Sequence, residues 1–457
     1  MSPHQGRPEG ERMTAGRRPV KSRSAGYAFL AGFAAIVVLV SGAIFVGFGG
    51  RESSRGANGG GGQAAPASSG NWVGTWATAA AASEPDAPDG HPDTSIRNIV
   101  HTSVGGTAAR VQLSNLFGDR PLTIDHATLA LAAAPSAPAA APGTMRRLTF
   151  GTQESVTIPP GGTVTSDAVR LTVPHSADLL VTTYSATRSG AVTYHPFARQ
   201  TSYLATGDRA AELDGTAYTT QSPYWRYVTG VDVWTTETEG AVVVIGDSIT
   251  DGITSSPGAN RRWPDFLAER LRTERGAPAY SVLNSGISGN RVLVDGTARY
   301  AYNGPSALAR MERDALSRTG VRTVVIQLGI NDILKSPGPI DPAAIAHGLE
   351  RLAAQAQSRG LRVVVGTLTP FAGHRKHTPE REAARQRVNE RIRASEAFDG
   401  VVDFDAALRD PAAPERMRTA YDSGDHLHPG DNGFRAMAQA VDLRLVASDR
   451  NTRVSAD

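Results

Sequence analysis

The 457-residue chain has no cysteine, which excludes disulfides and thiolate metal sites. Any exported part of it must therefore be held by its core alone, which this length permits. A charge excess of the kind that points to nucleic acid is also missing. The formal net charge is +3, and the first 25 residues set Arg7, Arg12, Arg17, Arg18, Lys21 and Arg23 against Glu9 and Glu11. The remainder is close to neutral, so no nucleic-acid partner is expected. Zinc patterns of the His-x-x-x-His type and Walker-type phosphate loops are absent, and no internal repeat is visible. Neither a metal nor a cofactor is expected.

Long apolar runs are also scarce, with one exception. Residues 27–48 are apolar or small and carry no charge, and about 22 residues suffice to cross a bilayer. The basic residues before them place a 1–26 tail in the cytoplasm and the rest outside. The expectation is a single-pass cell-membrane protein with its catalytic part extracytoplasmic. Secretion after signal cleavage is the alternative.

Composition divides the remaining 409 residues into three stretches. Residues 49–70 are rich in Gly, Ser and Ala and read as a flexible linker. From 71 to 240, short β-prone runs (109–113, 155–158, 168–173, 179–184, 191–195) alternate with Gly, Pro, Asp and Ser. That texture predicts a β-rich accessory domain, a sandwich or jelly roll, with 132–143 as a low-complexity surface loop. From 241 to 457 the rhythm becomes strand, helix, strand. Strands are predicted at 241–245, 279–283, 322–328, 361–368 and 400–404. Helices are predicted at 264–274, 307–317, 342–358, 379–394 and 433–446. The strands lack alternation, as parallel strands covered on both faces do. Ligands of such sheets bind beyond the carboxyl ends of the strands.

Four stretches there carry chemistry. Ser248, in Gly246-Asp247-Ser248-Ile249-Thr250, directly follows the first strand and would be an exposed nucleophile. A serine needs a base and a group that orients the base. Asp425-His426-Leu427-His428-Pro429 offers His428 as base and Asp425 as orienter, three residues apart, so one loop aims both. His426 and Asp422 are their competitors. The oxyanion needs fixed donors. Gly289, in Gly286-Ile287-Ser288-Gly289-Asn290, lets a backbone N–H approach closely. Asn331, in Gly329-Ile330-Asn331-Asp332, offers a side-chain amide without charge, and the Ser248 amide is a third donor.

The series Gly-Asp-Ser, Gly-x-x-Gly-Asn, Gly-x-Asn-Asp and Asp-x-x-His-Pro, in this order, resembles the GDSL-type SGNH hydrolase superfamily of esterases, lipases and carbohydrate deacetylases. The resemblance implies a flavodoxin-like three-layer α/β fold over about 241–446. It implies Ser248, His428 and Asp425 as the triad, with the Ser248 amide, Gly289 N–H and Asn331 side chain as the oxyanion hole. The string 284–291 and the preceding β-rich region are similar to a two-domain bacterial branch with xylan-active arylesterases. The function expected is a serine esterase acting on short acyl groups of carbohydrates such as acetylated polysaccharide. Lysophospholipase or lipase action is the nearest alternative, and an inactive carbohydrate-binding surface protein the more distant one.

Weaker signals surround these blocks. Asp251 and Asp332 read as acceptors for local amides. The loop 370–378, with Phe371, His374, Arg375, Lys376 and His377, reads as a solvated loop or part of a substrate rim. Trp263, Tyr300 and Tyr302 read as core, surface or lining of an acyl or sugar site.

Overall fold

Five strands rich in Val and Ile form the sheet that carries the site in the computed structural model, which describes residues 70–336 and 338–447. They are β1 (Gly240–Gly246), β2 (Tyr280–Gly286), β3 (Val321–Gln327), β4 (Arg362–Gly366) and β5 (Gly400–Val402). All pair in parallel, in the order β2-β1-β3-β4-β5. Every residue of β1 is buried, as a central strand covered on both faces requires. On one face, Trp263, Phe266, Leu267, Phe434 and Met437 of helices Trp263–Thr273 and Asp431–Ala440 pack on Val242, Val244 and Val325. On the other, Leu349, Leu352 and Val388 of Pro342–Gln357 and Pro379–Ala394 share a core with Val243, Ile245 and Val324. The result is a three-layer α/β domain with the flavodoxin-like strand order.

Two helix expectations need correction. The segment expected as one helix over 307–317 is α-helical only at Ala307–Met311 and then widens into a π-turn at Glu312–Leu316. There the buried Asp314 carboxylate meets Arg310 at 3.2 Å and Arg313 at 2.6 Å. The segment expected as one helix over 433–446 is two, Asp431–Ala440 and Leu443–Val446. Asp442 adopts an extended backbone between them and caps the second by accepting the Arg444 N–H.

Ahead of this domain lies a β-rich region. One antiparallel sheet runs Asn71–Ala77, Val228–Thr235, Gly106–Ser114, Val169–Val173. The core of a second, also antiparallel, is Ser202–Thr206, Thr94–His101, Asp178–Ser185, His126–Leu131. Val73, Val111 and Val231 of the first share one buried cluster with Ile96, Leu129 and Val181 of the second, the layering of a sandwich. The low-complexity stretch 132–143 lies at the surface, as expected, and is pinned at two points. Ala132 and Ala140 form a β-bridge, and the Ser136 N–H donates to Asp178 at 2.8 Å.

Residues 70–447 belong to one compact unit. A Cβ on Gly74 would lie 2.7 Å from Leu283 of β2, so its absence permits this close approach. The outer edge of β2 is covered where the Val282 N–H donates to Ser103 Oγ at 3.2 Å. The Arg318 guanidinium donates to the carbonyls of Thr78 and Thr229, both at 2.9 Å. The basic tail, the apolar run 27–48 and nearly all of the linker lie outside the described residues. Among the described residues no helix is long and apolar enough to cross a membrane.

Candidate active site

The three central strands end level. Gly246 of β1 is in register with Gly286 of β2 and Gln327 of β3, so the loops bearing Ser248, Gly289 and Asn331 leave from one sheet edge. A fully buried arginine ties two of these ends together. Arg310 donates to the carbonyls of Gly246 at 2.9 Å and Ser285 at 2.8 Å, and to Asn290 Oδ1 at 3.0 Å.

Ser248 opens the short helix Ser248–Asp251, capped by Asp247, whose Oδ1 accepts the Ile249 N–H at 3.0 Å. His428 Nε2 lies 2.8 Å from Ser248 Oγ, and His428 Nδ1 lies 2.6 Å from Asp425 Oδ2. Asp425 Oδ1 accepts the backbone N–H groups of Leu427 at 2.9 Å and His428 at 2.8 Å. Burial works against the Asp425 charge, but His428 and these two amides outweigh it and hold the carboxyl well below the usual range. The carboxylate thereby fixes the hydrogen on Nδ1 and leaves the Nε2 lone pair facing the serine.

The competitors pair with each other instead. His426 Nδ1 lies 2.6 Å from Asp422 Oδ2, with the imidazole half-exposed. A left-handed backbone at His426, φ 63°, turns the loop between the two pairs. Leu427 packs with Ile330, Leu334 and Phe371, anchoring the His428 loop to the short helix Ile330–Leu334 that carries Asn331.

Gly289 has φ 79°, and a Cβ there would lie 2.2 Å from Asn303 Nδ2 and 2.3 Å from Lys335 Nζ. Asn331 is buried, and its Nδ2 is among the buried side-chain nitrogens with no hydrogen-bond partner. A buried amide donor left unpaired is costly unless it serves a ligand. Polar ties interlock these loops. Asp251 Oδ2 accepts the Ser288 N–H, Asp332 accepts the N–H groups of Val292 and Leu293, and Asn303 Nδ2 donates to the Ser288 carbonyl. Both aspartates thus serve backbone amides, though on neighbouring loops rather than their own.

Several residues went unmarked in the sequence. Asp247, the residue before Ser248, is fully buried, and burial pushes its pKa up to about 7. Lys335 donates to the Gly289 carbonyl at 2.9 Å and to Asn303 Oδ1 at 2.8 Å. Burial lowers its pKa to about 8. Its spacing of four from Asn331 was a readable helical signal. Asn303 and Arg310 carried none.

The weaker expectations divide. Trp263 is core, fully buried beside Phe404 with Nε1 donating to Thr250 Oγ1 at 3.2 Å, and lines no substrate site. Tyr300 is exposed, and its ring stands edge-on to Tyr302, which also meets Phe197. In the 370–378 loop Phe371 is buried and Lys376 Nζ donates to the Leu334 carbonyl at 3.0 Å, so this loop braces the site.

A second Ser–His–Asp arrangement lies in the β-rich region. His101 is 3.1 Å from Ser176 Oγ and 2.7 Å from Asp178 Oδ1. The amide following that serine, Ala177 N–H, is already taken by Thr102 Oγ1 at 3.0 Å. The unpartnered buried nitrogen of Asn331 has no counterpart beside Ser176 among the described residues.

No curated protein matches the chain. Solved structures are similar to it over part of its length. The acetylxylan esterase Axe2 of Geobacillus stearothermophilus is 21% identical over 46% of this chain and 96% of its own, with a TM-score of 0.35. A GDSL-like lipase of Bacteroides thetaiotaomicron is 21% identical over 45% of this chain and 88% of its own, with a TM-score of 0.32. Residues 244–436, which hold all four sequence blocks, match the GDSL-like Lipase/Acylhydrolase family model. The α/β half of this chain is a GDSL-type acylhydrolase domain, an ester hydrolase.

Proposed function

We propose that the protein is a serine esterase in which Ser248 is the nucleophile, His428 the general base and Asp425 the orienting carboxylate. The observation that carries this reading is the continuous chain from Ser248 Oγ through both nitrogens of His428 to Asp425, at 2.8 and 2.6 Å. His428 Nε2 takes the hydroxyl proton as Oγ attacks the ester carbonyl. The oxyanion is stabilised by Asn331 Nδ2, the Gly289 N–H and the Ser248 N–H. The unpartnered state of Asn331 Nδ2 supports that role. His428 then gives its proton to the departing alcohol, and water, deprotonated by the same imidazole, releases the acid from the acyl-enzyme.

The substrate proposed is a short acyl ester, an acetyl group on a carbohydrate. In support, the side chains knit around the oxyanion loop are polar: Asn303, Lys335, Ser288 and Asp251. A long acyl chain calls for an extended apolar lining. The run 27–48 is proposed as a retained membrane anchor with the esterase extracytoplasmic; a mature N-terminus beyond residue 49 would overturn the anchor.

The test is turnover of p-nitrophenyl acetate by wild type and Ser248→Ala, followed by acetylated xylan and lysophosphatidylcholine side by side. The reading expects loss of turnover in the variant and preference for the acetyl ester. Undiminished turnover in Ser248→Ala removes the nucleophile assignment, and preference for the lysophospholipid removes the substrate assignment.

A further inference from the structure

The β-rich region reaches into the catalytic half at one point of particular chemistry, through a small three-stranded sheet beside the sandwich. His195 ends the strand Thr193–His195, and its ring is 2% exposed. Its Nδ1 lies 2.9 Å from the Ala79 carbonyl and its Nε2 lies 2.9 Å from Asp251 Oδ1. A carbonyl only accepts, so Nδ1 carries a hydrogen, and an ionised Asp251 on the other side calls for a second on Nε2. Burial opposes that second proton, the Asp251 charge favours it, and the net effect is a raised His195 pKa. The Trp225 ring stands 5.5 Å from the imidazole, and the Arg262 guanidinium, whose charge opposes that of the imidazolium, lies over the same indole at 5.7 Å.

Asp251 is the last residue of the helix that Ser248 opens, and it is 3% exposed. Its second oxygen, Oδ2, accepts the Ser288 N–H at 2.9 Å and bonds to Ser288 Oγ. Ser288 directly precedes Gly289. The nucleophile helix and the oxyanion turn are therefore joined by one carboxylate, and the orientation of that carboxylate is set by a histidine from outside the α/β domain. On its other flank the same turn is held by Lys335 and Asn303.

We propose that His195 is a positioning residue of the esterase site. It clamps Asp251, and through Asp251 it fixes the Ser288–Gly289 turn, so that the β-rich region completes the oxyanion hole. This rests on the reading of Ser248 as nucleophile. His195 touches no reacting atom. Its contribution is geometric, and a donor displaced by about 1 Å costs up to about a hundredfold in rate. Such a loss falls on kcat, because the oxyanion forms as the ester is attacked and is absent from the bound ester.

The experiment compares His195→Gln, Ser288→Ala, their double variant and Ser248→Ala with p-nitrophenyl acetate, with melting curves for each. His195→Gln keeps an N–H towards Asp251 but neither the charge nor the rigid second bond. The proposal expects kcat to fall at least fivefold, about tenfold overall, in His195→Gln and in Ser288→Ala, with KM within about twofold. It expects the double variant to be no more than about twofold worse than the poorer single one, since both act on one chain of contacts. A kcat within fivefold of wild type in folded His195→Gln overturns the proposal, as do a loss confined to KM and a double variant whose losses multiply. If His195→Gln melts as a destabilised protein, Ser288→Ala decides by the same kcat threshold. Loss of activity in Ser248→Ala with unaltered His195→Gln refutes this inference alone, whereas retained activity in Ser248→Ala refutes both.

Discussion

Substituting Gly289 by alanine separates the oxyanion role proposed for its turn from its role in the fold. The backbone there is left-handed, φ 79°, where a Cβ costs about 1–2 kcal/mol. The new methyl would also lie 2.2 Å from Asn303 Nδ2 and 2.3 Å from Lys335 Nζ. Lys335 is a long side chain whose end can swing away. Asn303 is short and engaged at both ends, donating to the Ser288 carbonyl at 2.8 Å and accepting from Lys335 at 2.8 Å. The turn itself must therefore shift. Loss of one oxyanion donor costs about 3 kcal/mol of transition-state stabilisation, about a hundredfold in kcat. The activity penalty exceeds the strain, so the expected variant is folded and crippled, with kcat about a hundredfold lower and KM little changed. Gly276→Ala is the control. It has the same left-handed backbone, φ 78°, but a Cβ there meets nothing within 4 Å. It should lose only the stability that the left-handed backbone costs and keep wild-type kcat. Steady-state kinetics on p-nitrophenyl acetate and urea unfolding of both variants measure the two effects. A Gly289→Ala enzyme with kcat within about threefold of Gly276→Ala refutes the reasoning.

His428→Ala should reduce kcat by at least about 10⁴-fold, whereas His426→Ala, paired only with Asp422, should stay within about threefold; equal losses in ester turnover would sink the assignment. Asp247→Asn bears on stability against pH. The folded pKa is raised by burial from 3.8 to about 7, so the folded state binds more protons between those values and wild-type stability falls as pH rises through that window. The variant keeps the acceptor for Ile249 N–H and should gain on wild type by a few kcal/mol, on the order of 1.4 per pKa unit, between pH 4 and pH 8; parallel stability curves in urea titrations would contradict it. Trp263→Ala removes a fully buried ring and should cost about 3–5 kcal/mol in urea unfolding, while a change below about 1 kcal/mol would mean that Trp263 is not core.

The chain by itself determined the α/β domain, because unalternating Val and Ile runs separated by helical segments leave few ways to cover both faces of a sheet. It also singled out the stretches that meet at the candidate site. Ser248, Gly289 and Asn331 each sit a few residues beyond such a run, and His428 and Asp425 share one short loop, so their proximity follows from local spacing. Local spacing could not choose between His428 and His426. That choice came from the left-handed turn at residue 426 and from Leu427 packing on Phe371, which aim one imidazole at the serine and the other at Asp422. Nor could it reveal His195, Asn303 or Arg310. Their partners lie 56, 15 and 64 residues away, at Asp251, Ser288 and Gly246. Hydrogen bonds between buried polar groups at such separations leave no periodic trace in a sequence. They exist only once the sandwich has packed on the edge of the parallel sheet and the loops have closed on one another.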